Sequence, residues 1–210
     1  MTTEKRFYVS EGNKKLRSND HVKFLIWNLP AQITCPYATE LCKKFCYAKK
    51  AERVYPGVLP SRMRNLEFSK SPEFVREMVQ YIWKKSRTAM RKGKRIYFRI
   101  HESGDFYNVE YVRKWVDITR QCPQVVFLAY TKSIKMFQSV ELPYNFIVRA
   151  SLWDDTPAEL REMSMQYPIY TALPKDSYDE TLFFKCECKD CGTCLACYRR
   201  DMMRIVVDIH

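Results

Sequence analysis

Between residues 95 and 173 short apolar runs alternate with helical patterns, and that alternation confines the chain to few folds. "RIYFRI" (95–100), "VVFLAY" (125–130), "NFIVRAS" (145–151) and "PIYTAL" (168–173) read as strands. "NVEYVRKWVDITRQC" places Tyr111, Val112, Trp115 and Ile118 on one helical face behind an Asn108 cap. A short helical piece is expected near 134–140, and "TPAELREMSMQ" opens with a capping box from Thr156 to Glu159. Upstream, "VKFLIWN" (22–28) is a strand, and a helical pattern runs from about Thr39 to Val54. A long helix follows, with Ser71 as cap, Pro72 at its first position and Gly93 past its end. "RIVVDI" (204–209) closes or edges the sheet.

Strands that alternate with helices pair in parallel through right-handed crossovers, giving an open doubly wound sheet or a barrel. A parallel sheet covered on both sides is apolar on both faces. Here Tyr97, Arg99 and His101 share one face of a strand, and Arg149 and Ser151 share one face of another. The expected fold is therefore α/β: a partial (β/α) barrel of about six mostly parallel strands over residues 1–175. A small cysteine-rich segment, 176–210, packs on it.

In such folds ligands bind beyond the carboxyl ends of the strands. Those ends deliver the three-cysteine loop, "HESGDF", "TKS", "SLWDD" and "LPKD" to one rim. His101, Asp105 and Lys132 are the candidates for catalysis, and Arg99, Ser103, Gly104, Arg149 and Ser151 for gripping a cofactor or substrate. Because an arginine inside a strand is not buried unpaired, Asp105 or a bound carboxylate is the expected partner of Arg149. The bland alternative for "HESGDF" is a solvated loop leading into the next helix.

Nine cysteines is a high and odd number for a chain whose first twenty residues lack an apolar signal region. A cytoplasmic location follows as the expectation, with thiols kept reduced, so disulfides are the least favoured use of these side chains. "TCPYATELCKKFCYAKK" holds Cys35, Cys42 and Cys46, and three thiolates from one loop suit a [4Fe-4S] cube with one open iron. A zinc site would need a fourth ligand from elsewhere. "KCECKDCGTCLACYRR" contains Cys188, Cys191, Cys194 and Cys197 as consecutive C-x2-C steps, with Cys186 as a spare. Back-to-back steps wrap a cube, whereas zinc ribbons separate two pairs by a long loop. Gly192 is expected to let the backbone fold close to the sulfurs, and Cys122 is read as structural.

A net charge of +12, from 36 Lys and Arg against 24 Asp and Glu, attracts polyanions such as RNA or DNA. The longest apolar stretch is too short to cross a bilayer, so no membrane partner is expected.

The two cysteine groups and the barrel resemble radical S-adenosylmethionine enzymes that carry an auxiliary cluster. This chain lacks their C-x3-C-x2-C signature. "TCPYATELCKKFCYAKK", "RIHESGDFYNVEYVRKWVDI", "FLAYTKS" and "CGTCLACYRR" more closely resemble the phage-encoded gene product eighty-eight family. The resemblance implies iron–sulfur binding and a phage gene expressed in the cytoplasm of an infected host. Three functions are consistent with these residues. The first is an open-iron enzyme that binds S-adenosylmethionine or a small substrate; the second is a non-radical enzyme such as a sulfur transferase acting on RNA. The third is an iron–sulfur or zinc module that binds nucleic acid.

Overall fold

The structure, a computed structural model, describes residues 6–175 and 177–208. Eight strands form one sheet: β1 Val9–Ser10, β2 Val22–Trp27, β3 Arg95–Ile100, β4 Val126–Thr131, β5 Phe146–Leu152, β6 Ile169–Leu173, β7 Phe184–Lys185 and β8 Arg204–Asp208. Their spatial order is β1-β2-β3-β4-β5-β6-β8-β7, with every pairing parallel except β1 against β2. From β2 to β6 neighbours in space are neighbours in sequence. No reversal of strand order occurs, so the sheet has no doubly wound switch point. With a constant crossover hand, such an order puts the helices that connect β2 through β6 on one face and leaves the other as a concave lumen.

The helices are α1 Glu40–Lys44, α2 Tyr47–Val54, α3 Val58–Lys70, α4 Phe74–Met90, α5 Val109–Gln121, α6 Ala158–Ser164 and α7 Cys191–Cys194. The larger core lies between the sheet and α3, α4 and α5. Leu25, Trp27, Ile96, Phe98, Phe127, Phe146 and Val148 from the strands meet Leu66, Phe74, Met78, Ile82, Val112 and Trp115. Each fully buried aromatic or aliphatic side chain contributes about 1.5–3 kcal/mol by leaving water. The opposite strand positions, Val22, Phe24, Ile26, Leu128 and Ile147, line the lumen and pack against Leu16, Cys191, Leu195, Cys197 and Tyr198. The segment between β7 and β8 therefore fills part of the lumen, and β8 joins the same sheet between β6 and β7.

Local departures from the expected pattern have physical causes. The helix expected over 39–54 breaks at Phe45 and Cys46, where Cys46 adopts an extended conformation and starts α2. Ser71 does not cap α4; it ends α3 in an extended conformation, and α4 begins at Phe74. Asn108 caps α5 as expected, accepting the Tyr111 N–H at 2.8 Å. Thr156 instead accepts the Trp153 N–H at 2.8 Å, and Pro157 precedes α6 without a side-chain cap.

Gly104 has φ +82°, and a Cβ there would lie 2.6 Å from both Leu29 Cβ and Thr34 Oγ1. Both the backbone conformation and the close approach require glycine. Gly104→Ala is expected to lower stability by about 2–4 kcal/mol, read as a drop in urea midpoint at unchanged m-value.

Candidate functional site

The loops after β2 and β3 are stitched together at the carboxyl end of the sheet. Asn28 Oδ1 accepts the N–H groups of Glu102 (2.8 Å) and Ser103 (3.0 Å). Ser103 Oγ donates to the Leu29 carbonyl at 2.9 Å. Ser103 and Gly104 are thus used in joining the two loops. The three-cysteine loop is also fastened to the loop after β5. Asp155 Oδ2 accepts the Leu41 N–H at 2.8 Å, and the Phe45 and Trp153 rings stack with centroids 6.0 Å apart.

Cys35, Cys42 and Cys46 are all free thiols and half-buried. Burial pushes Cys35 up to about 12, with the Asp105 charge and the other two thiols adding to it. Burial also raises Cys42, opposed by the ammonium of Lys132, which hydrogen-bonds the Cys42 thiol. The three thiols thus act on one another at one place. Lys132 Nζ also donates to Ser151 Oγ at 3.0 Å. Three of the rim candidates, Asp105, Lys132 and Ser151, are therefore brought together around these cysteines.

Asp105 is buried and bonded three times. Thr131 Oγ1 donates to it at 2.5 Å, the Phe106 N–H at 2.7 Å and the Lys132 N–H at 3.0 Å. Burial raises its pKa while these hydrogen bonds lower it. Its carboxylate ties the β4 loop to the β3 loop and does not reach Arg149.

His101 departs from the expected face. Its φ of +65° breaks the strand alternation that would have carried it into the lumen beside Arg99. The imidazole enters the helix-side aromatic core, 4.7 Å from the Phe106 ring and with Nε2 3.0 Å from the Tyr111 hydroxyl. Trp27 Nε1 donates to that same hydroxyl at 2.9 Å. His101 is 2% exposed, and its Nδ1 has no hydrogen-bond partner among the described residues. Burial, aided by the Arg99 charge, depresses its pKa to about 3.

Arg149 is fully buried, and its partners are not carboxylates. Nε donates to the Cys197 carbonyl (2.8 Å), Nη1 to Met202 (2.6 Å), and Nη2 to Ala196 (3.3 Å) and Arg199 (2.7 Å). Four backbone carbonyls of the cysteine-rich segment are thereby held inside the lumen. From the other side, Lys15 O accepts the Cys191 N–H at 2.9 Å. Gly192 packs so tightly that a Cβ would lie 2.5 Å from the Arg17 carbonyl, so its smallness serves the N-terminal loop.

Around this anchor the remaining cysteines gather. Burial pushes Cys191 up to about 11, and the Cys197 and Cys186 thiols add to it. Cys188 is raised to about 11 first by its hydrogen bond to Cys194. Cys186 belongs spatially with the other four. Among the described residues, no three Cys, His, Asp or Glu side chains converge closely enough to share a single metal ion.

Arg99 lies between the two cysteine groups. Its Nε donates to the His101 carbonyl at 3.3 Å, and its guanidinium sits 4.8 Å from the centroid of the Tyr130 ring. Tyr130 packs on Tyr170 at 4.7 Å, and Tyr47 donates its hydroxyl to the Glu102 carbonyl at 2.6 Å. These tyrosines were not singled out in the sequence. Alternation within "VFLAYT" does assign Tyr130 to the lumen, whereas nothing local marks Tyr47.

The sequence model of the family described as Gene product 88 matches residues 4–202. The chain belongs to that family. The Gene 88 protein of Mycobacterium phage L5 is 36% identical over 105 residues, covering 47% of this chain and 43% of its own. That of Mycobacterium phage D29 is 32% identical over 102 residues, covering 47% and 42%. The chain thus aligns with less than half the length of these Gene 88 relatives. No solved structure matches it. Among the described residues, no helix of this Gene product 88 member is long and apolar enough to cross a membrane.

Two outcomes test this geometry. Arg149→Met leaves four buried carbonyls without their donor and is expected to cost at least about 3 kcal/mol. Limited proteolysis should then cut first within residues 196–202. The second concerns His101, whose pKa falls from 6.5 unfolded to about 3 folded. Its contribution to stability is complete above pH 6.5 and is lost progressively as pH falls toward 3. Asn tolerates a left-handed backbone and does not titrate. His101→Asn is expected to flatten the decline in urea midpoint between pH 6.5 and 4.5 relative to the parent.

Proposed function

We propose that this protein is an iron–sulfur enzyme in which Cys35, Cys42 and Cys46 hold a [4Fe-4S] cluster with one iron left open to a small ligand. The observation that carries the reading is the meeting of three half-buried thiols from one loop with Lys132, Asp105 and Ser151 at the carboxyl end of a parallel sheet. Ligand sites of β/α folds occupy that end.

The donor set fits a cluster better than zinc. A tetrahedral zinc site needs a fourth ligand beyond the three thiols of this loop. A cube takes its thiolates on separate iron corners and accepts a wider spread. Three thiolates fill three corners of a cube and leave the fourth for another molecule. Bound there, a cluster supplies a Lewis-acidic or electron-donating iron. The chain's own residues do the rest: Lys132 presents positive charge beside Cys42, and the hydrogen-bonded Asp105 fixes the loop that carries Lys132.

The same reading assigns a second cluster to the C-terminal group, with Cys191, Cys194 and Cys197 as ligands and Cys186 or Cys188 completing the set. S-adenosylmethionine is one candidate for the open corner. The altered cysteine spacing makes a non-radical ligand, such as a sulfide or a small carboxylate, an equal one. The surplus of basic residues supports a nucleic-acid substrate or partner within the same reading.

Oxygen-free purification is expected to give brown protein with acid-labile sulfide and about eight irons per chain if both sites fill as [4Fe-4S]. Cys42→Ala should remove about half of that iron, and Cys194→Ala the other half, with the fold retained by circular dichroism. Colourless, folded wild-type protein without sulfide would rule the proposal out. A change in the paramagnetic resonance of the reduced protein on adding S-adenosylmethionine, present in wild type and absent from Cys42→Ala, would identify that molecule as the ligand.

A further inference from the structure

The lumen contains two arginines on alternate strands with opposite fates. Arg149 spends its guanidinium on four carbonyls and is closed to anything else. Arg99 makes one hydrogen bond, through Nε, and its two terminal nitrogens have no hydrogen bond and no ion pair among the described residues. Glu102 acts on it through space but is engaged by Asn13 Nδ2 at 2.5 Å. A half-buried guanidinium whose fork has no protein partner is a ready pair of donors for a planar anion.

From this we infer that Arg99 is the recognition residue for a small monocarboxylate bound in the lumen between the two cysteine groups. The surroundings select that class. The Arg99 guanidinium lies over the Tyr130 ring, 4.8 Å from its centroid, and its terminal N–H groups, which pair with a carboxylate, have no protein acceptor among the described residues. Tyr47 borders it toward Cys46, while Cys197 and Tyr170 border it on the far side. These walls are aromatic, and the other cation of the rim, Lys132, already donates to Ser151 and Cys42. One guanidinium fork matches one carboxylate, with two parallel N–H donors for its two oxygens. A phosphate dianion would retain a second, uncompensated charge in a half-buried site.

The inference deepens the proposed function by naming a ligand class for the same rim, and it rests on that reading for the ligand's role. Binding itself is measured on the full chain both with iron and after its removal by chelator, with iron counted separately. Acetate and benzoate are titrated at constant ionic strength against inorganic phosphate and chloride, with melting temperature and tyrosine fluorescence as readouts. Both carboxylates are expected to give a saturable rise in melting temperature that chloride does not. Arg99→Gln should abolish it, Arg99→Lys should weaken the affinity at least about tenfold through loss of the fork, and the surface control Lys92→Gln should leave it unchanged. If Arg99→Gln does not fold, the wild-type titration and Arg99→Lys decide. Equal responses to chloride and carboxylate, tighter binding of phosphate, or full binding by Arg99→Lys would overturn the assignment. Carboxylate binding by protein that never takes up iron would leave it standing and remove the cluster reading instead.

Discussion

The buried guanidinium of Arg149 organises the concave side of this molecule. A charge removed from water needs a complete set of acceptors, and here the acceptors are carbonyls from one short stretch, 196–202. That demand converts a cysteine-rich segment with little regular structure into a fixed insert of the lumen. Leu195, with φ +52°, turns the chain so that Ala196 and Cys197 face the arginine. Tyr198 then packs on Phe24 and Tyr97, continuing the aromatic lining from the insert to the strands. Removing the charge would therefore loosen several thiols together.

The rim depends on a different kind of constraint, the tying of loops to one another by buried polar groups. Asp105 holds the β4 loop, Asn28 holds the β3 loop, and Asp155 holds α1. Each uses a side-chain oxygen to satisfy backbone N–H groups at the end of an element, where they lack ladder partners. The three-cysteine loop is the common neighbour of these ties. Its thiols are therefore held by the scaffold itself.

Much of the fold was legible in the sequence because the strands are continuous apolar runs separated by capped helices. β3 was read residue for residue, and Asn108 was identified as a cap from its position alone. The errors arise where a backbone property has no letter. Nothing in "RIHES" announces that His101 adopts φ +65° and leaves the lumen, since histidine is only modestly enriched in that conformation. Arg149 was conspicuous, but its partners could not be guessed because carbonyl oxygens belong to every residue. Gly192 stands among sulfurs in the sequence, whereas the contact that requires it comes from Arg17, far away along the chain. Cysteine spacing pointed to two groups; which thiols stand nearest one another depended on the turn at Leu195.

The place of β8 within the sheet has a consequence for how the molecule is made. It is synthesised after the cysteine-rich segment, yet it inserts between β6 and β7. Until it emerges from the ribosome, the outer edge of β6 exposes unpaired amide and carbonyl groups and the lumen stays open on that flank. During this interval the Cys186 N–H also lacks its acceptor, the Val206 carbonyl. Docking of β8 is then the step that closes the sheet, so the final strand of the chain to be made completes the wall against which β6 and β7 pair.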